Sequence, residues 1–102
     1  MEILETSKFA RDADDYLEEE DLEELKLYLA IQPDSGVVIP GSGGCRKLRW
    51  KGRGRGKRGG YRVIYFYRKM PEQIWLLTIY SKSELENIHP TIIKRWRQEI
   101  ES

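Results

Sequence analysis

Between Gly43 and Lys69 the chain reads GGCRKLRWKGRGRGKRGGYRVIYFYRK, with eleven basic side chains and no Asp or Glu. Arg and Lys in that density bind polyanions. Arg offers a planar fork matched to phosphate oxygens, and fixed cations stabilise the negative charge that accumulates on a phosphate under attack. Within this stretch Lys47, Arg49 and Lys51 fall at every second residue, the spacing that puts side chains on one face of a strand. Leu48 and Trp50, with Arg46, take the opposite face. Arg62 opens the next strand-like run, RVIYFYR, and Lys82 ends a third, QIWLLTIYSK. Interleaved with these bases are Trp50, Tyr61, Tyr65, Tyr67 and Tyr80, rings of the kind that stack on unpaired bases in single-stranded RNA recognition or fill the core of a sheet.

Other chemistry is poorly represented. The one Cys45 and the one His89 give no set of zinc ligands, and a Ser-His-Asp triad would have to use that same lone His. His89, before Pro90, reads as a helix cap or an exposed side chain. Cys45 reads as a free thiol. The GxGxxG of Gly54 to Gly59 is no dinucleotide fingerprint, because a strand follows it where that motif opens a helix. No metal and no cofactor is expected.

The elements that must carry the bases follow from patterning. MEIL suggests a short strand, and Thr6 or Ser7 caps a helix with Phe9, Ala13, Tyr16 and Leu17 on one face. A second helix runs through DLEELKLYLAIQ, with Leu22, Leu25, Tyr28, Leu29 and Gln32 at the 3.6 period and Glu18 to Asp21 at its start, where the helix dipole favours acids. Pro33-Asp34-Ser35-Gly36 stops it. Val37 to Pro40 is a short β-branched piece, followed by strands from Cys45, from Tyr61 and from Gln73. KGRGRGKRGG between the first two of these reads as a long exposed hairpin loop. HPTIIKRWRQEIES closes the chain as a helix with Ile92, Ile93, Trp96 and Ile100 on one face and Pro90 in its first turn. The expectation is one α+β domain over residues 1–102, with an N-terminal strand and two helices on a mainly antiparallel sheet of four or five strands and a C-terminal helix.

Charge is segregated along the chain. Residues 1–34 hold twelve acids and three bases, whereas residues 35–71 hold eleven bases and no acid. A polyanion partner follows if the fold keeps the two segments apart. With no apolar run of membrane-spanning length and no leader-like start, a cytoplasmic location is expected.

Taken together, G-G-C-R-K-L-R-W, G-G-Y-R-V-I-Y and L-L-T-I-Y-S-K resemble the toxins of the RelE/HigB family, most closely its HigB branch, over residues 36–88. The resemblance implies a type II toxin paired with a helix-turn-helix antitoxin, a ribosome-dependent endoribonuclease that cuts mRNA in the A site. It puts the catalytic surface on Lys47, Arg49, Arg62 and Lys82, with Arg46 and His89 as accessories. Arg46, Lys51, Arg53, Arg55, Lys57 and Arg58 become RNA or ribosome contacts. Some relatives carry Lys where Arg49 stands and Tyr where this chain has Ile88 and His89, so the general acid and base stay open between Lys82 and His89. Two other readings belong to other classes: a toxin of the same fold that binds DNA gyrase without cutting RNA, as the ParE branch does, and a basic RNA-binding module without nuclease activity.

Overall fold

The computed structural model describes residues 1–51, 60–82 and 87–100. In chain order it contains β1 (Glu2–Glu5), α1 (Ser7–Asp14), α2 (Glu19–Ile31), β2 (Val37–Val38), β3 (Arg46–Trp50), β4 (Tyr61–Lys69), β5 (Glu72–Ser81) and α3 (Pro90–Ile100). The strands form one five-stranded sheet in the order β1-β5-β4-β3-β2, antiparallel except where β1 runs parallel to β5. The expected α+β architecture is therefore the observed one. The basic loop of residues 52–59, expected as a hairpin connection, lies outside the described residues.

Why the chain turns from β1 into α1 is visible at Thr6. Its hydroxyl oxygen accepts the Phe9 N–H at 3.1 Å as an N-cap and donates to the Leu76 carbonyl at 2.9 Å, tying the helix start to β5. Phe9 and Ala13 then bury against the sheet, and Leu25 and Leu29 of α2 join them over Leu48, Tyr61, Val63, Tyr65, Ile74, Leu76 and Ile79. Tyr16 and Leu17, expected on the first helix, pack on this core from beyond its end. A second core on the opposite face of the sheet joins Cys45, Ile64, Phe66, Leu77 and Tyr80 to Ile93 of α3. Helices thus cover both faces, α1 and α2 one and α3 the other, which is why β4 and β5 are apolar almost without interruption.

Two details depart from simple periodicity. Ile92 is exposed, since the buried face of α3 centres on Ile93 with Trp96 and Ile100 half-buried beside it. The other departure is in β5, where pairing with β4 shifts between Ile64↔Thr78 and Tyr65↔Leu76, leaving Leu77 as an extra residue. Up to Leu76 the even-numbered positions of β5 face α1 and α2; beyond the bulge Ile79 faces them instead, and Tyr80 is turned to the α3 side.

Candidate nucleic-acid interface

Strand alternation separates the bases from the acidic helices. Leu48 and Trp50 pack under α1 and α2, so their neighbours Lys47 and Arg49 face the other way. Arg62 does the same between Tyr61 and Val63, both of which belong to the α1/α2 core. Register then brings the bases together: Arg49 lies directly opposite Arg62 across β3 and β4, and Arg62 directly opposite Tyr80 across β4 and β5. A transverse row, Arg49–Arg62–Tyr80, crosses three strands, with Lys47 one step along β3 from Arg49 on the same face. Two guanidiniums side by side on adjacent strands offer their planar donor forks from neighbouring positions on one face, the geometry in which arginine binds phosphate oxygens.

Lys47, Arg49 and Arg62 line one open groove of about 660 Å³, walled on its far side by Val37, Val38, Ile39 and Pro40. Arg62 is the most buried of the three bases, 9% exposed, and its Nη1 donates to the Tyr61 carbonyl at 3.3 Å. Lys47 Nζ reaches Asn87 Oδ1 at 3.4 Å, which links the groove to the segment entering α3. At the end of the row the backbone N–H of Lys82 donates to the Gly60 carbonyl at 3.4 Å, so β5 ends beside the start of β4. Gly60 has φ +69°, and a Cβ there would meet the Trp50 carbonyl oxygen at 2.9 Å. Only glycine lets the three strand ends, which carry Lys51, Arg62 and Lys82, approach so closely.

The remaining expected residues divide. Lys51 and Lys82 are exposed at their strand ends. Arg53, Arg55, Lys57 and Arg58 lie outside the described residues. Arg46, expected as an RNA contact, is instead turned from the groove: its guanidinium donates to the carbonyls of Asp34 at 3.1 Å and Gly36 at 2.8 Å, holding the turn that follows α2. His89 caps α3, its Nδ1 accepting the Thr91 N–H at 3.1 Å, which leaves Nε2 as the free nitrogen. Of the interleaved aromatics, Trp50, Tyr61 and Tyr65 belong to the α1/α2 core and so do not stack bases on the basic face. Tyr65 is held by two bonds of its hydroxyl, accepting from the Gly36 N–H at 2.9 Å and donating to the Pro33 carbonyl at 2.8 Å. Cys45 is buried, and burial first of all pushes its thiol up to about 11, so it is no nucleophile at neutral pH. Tyr80 and Asn87 are the residues of this surface that strand patterning alone does not single out.

The ion pairs Lys8–Asp12 at 3.0 Å and Lys26–Glu5 at 2.7 Å use bases of the acidic third itself. The groove lies on the face away from α1 and α2, which carry seven of the seventeen acids.

Comparison with known proteins agrees with this architecture. A family model described as the RelE toxin of the RelE/RelB toxin-antitoxin system matches residues 1–100. Among solved structures, a mutant of the E. coli toxin RelE in the free state superposes with a TM-score of 0.54 at 16% identity, over 83% of this chain and 86% of that one. At that identity the likeness speaks for the fold. Among the described residues no helix is long and apolar enough to cross a membrane.

Proposed function

Since the chain belongs to the RelE family of toxins of toxin-antitoxin systems, we propose that it is a ribosome-dependent endoribonuclease that cuts mRNA and so arrests translation. The observation that carries this reading is the juxtaposition of Arg49 and Arg62 across β3 and β4, in one groove with Lys47, on the face of the sheet free of acidic helices. The sequence motifs around these residues support the HigB branch. With that branch come a helix-turn-helix antitoxin as partner and the cytoplasm as the place of action.

The chemistry is displacement at phosphorus by the neighbouring 2′-hydroxyl. Its oxygen bonds to phosphorus, the bond from phosphorus to the 5′-oxygen breaks, and a 2′,3′-cyclic phosphate and a 5′-hydroxyl result. Negative charge builds on the non-bridging oxygens, where the Arg49 and Arg62 guanidiniums can hold it, and on the leaving oxygen. Lys47 adds a third cation at the groove. One proton must leave the 2′-hydroxyl and one must reach the 5′-oxygen. Arginine does not release its proton at neutral pH, so these transfers fall to Lys82, with His89 available at Nε2 alone while its Nδ1 caps α3. Few proton-transfer groups on so open a groove make free RNA a poor substrate, and the ribosome supplies the alignment that the groove lacks.

Alanine substitution tests the assignment. Arg49→Ala and Arg62→Ala should each slow message cleavage on programmed ribosomes by roughly 10²- to 10³-fold, the cost of one lost charge-stabilising donor. Cleavage at the original rate in both variants would contradict it. Growth arrest with no message cut would point to a binding toxin of the gyrase-targeting kind.

A further inference from the structure

The groove that holds Lys47, Arg49 and Arg62 is larger than a phosphate needs. Its volume of about 660 Å³ lies in the range of pockets that bury a whole small molecule. Charge occupies one wall alone. The wall opposite is Val37, Val38, Ile39 and Pro40, and none of the described residues lining the groove is acidic. Val37 and Val38 are 75% and 47% exposed on an edge strand, a place where proteins ordinarily set charged side chains or proline. Large apolar side chains left in water beside a row of cations suit a ligand with an anionic part and an apolar part.

Register says how far apart the two parts lie. Val37 pairs with Lys47 across β2 and β3, so the two side chains share a face, and Arg49 is diagonal to Val37 at about 7–8 Å between Cα atoms. One nucleotide can touch both. The wall is also fixed in place before any ligand arrives. The Ile39 N–H donates to the Cys45 carbonyl at 2.8 Å, and the buried Ser42 hydroxyl donates to the Ile39 carbonyl at 2.6 Å while accepting the Cys45 N–H at 3.0 Å. From behind, Ile39 packs on the core that joins Cys45 to Ile93 of α3. A wall held in this way loses little freedom on binding.

We infer that Val37 and Pro40 form a nucleobase platform: the base of a nucleotide beside the scissile phosphate lies with its face on these two side chains while Arg49 and Arg62 hold the phosphate. This deepens the ribonuclease reading and rests on it. Every base presents a flat face, so a wall of aliphatic carbon accepts any of the four without reading its edge. The contact fixes the nucleoside, and with it the 2′-hydroxyl, against a phosphate that the arginines already fix. A protein strand added to this edge would pair with the backbone of β2 and leave the cations of the groove unused, so RNA is the occupant that fits both walls.

The test is Val37→Ser and Val37→Ile in the full chain, assayed for cleavage at sub-saturating programmed ribosomes. Each is given a normal message and messages with an abasic residue at each nucleotide flanking the cut. Val37 is exposed, so both variants should keep the wild-type thermal midpoint. Val37→Ser should slow cleavage of the normal message roughly five- to tenfold, the part of a buried valine that one face supplies, and Val37→Ile should keep the wild-type rate. At one flanking nucleotide, removing the base should slow the wild type by a similar factor and slow Val37→Ser no further, a coupling that a merely structural role of Val37 would not produce. Wild-type cleavage of the normal message by Val37→Ser overturns the inference and leaves a protein strand as the occupant of this edge. Abasic losses that multiply with the loss in Val37→Ser at every position overturn it as well, with the ribonuclease reading intact. If the wild type cuts no message, the ribonuclease reading falls and this inference falls with it.

Discussion

Single residues on this protein divide by which way the strand turns them. Arg46 and Lys47 are adjacent, yet one guanidinium holds the turn after α2 and the neighbouring ammonium faces the groove. The side of each was legible from alternation. What Arg46 binds was not, because the carbonyls of Asp34 and Gly36 reach it only once the turn is folded against β3. The buried acids make a prediction at this scale. Burial raises Cys45 from 9.0 to about 11 and raises Tyr65 and Tyr80 above 10.0. In each case the fold favours the protonated form, so the stability they carry is full below the unfolded values and is lost as pH rises past them. Urea unfolding should give a stability that is flat up to about pH 9 and falls between 9 and 11. Cys45→Ala should flatten the fall between pH 9 and 10 and leave above 10 the part that Tyr65 and Tyr80 carry, and an unchanged slope below 10 would show that the thiol is not its source.

At the scale of elements, the strands were readable because alternation and β-branched runs act locally, and the helices because their apolar residues recur at the 3.6 period. The bulge was not. It depends on how β5 pairs with β4, and nothing in IWLLTIYS marks Leu77 as the extra residue, so Tyr80 reads as one aromatic among several until register is known. Ile92 misleads for a similar reason: IleIle offers two adjacent choices, and the packing of α3 takes Ile93. The junction of β1 and α1 rests on one hydroxyl, which accepts from Phe9 and donates to Leu76. Thr6→Ala should therefore destabilise the fold by about 1 to 2 kcal/mol, the loss of a cap and of one partly buried bond. Thr6→Ser keeps both bonds, and chemical denaturation should return it to near the wild type.

For the whole molecule, the near-neutral net charge of +1 conceals two opposed surfaces. The sheet acts as the partition: α1 and α2 bring their acids to one side, while Lys47, Arg49 and Arg62 open on the other. The same layering answers why a basic run should occupy strands at all. A strand fixes alternate side chains at regular spacing on a rigid surface, and register across β3 and β4 then sets two arginines side by side without a loop to hold them. This converging arrangement is what a nuclease of phosphates needs and a loosely binding surface does not. The measurement that tests it most directly is primer extension on one message, with ribosomes translating it and without, after incubation with the purified wild type and with the Arg49→Ala, Arg62→Ala double variant. Cuts in the translated message alone, absent with the double variant, are the predicted result. Cuts that persist in the double variant, or no cuts with the wild type, would contradict the assignment of this groove as the site of RNA cleavage.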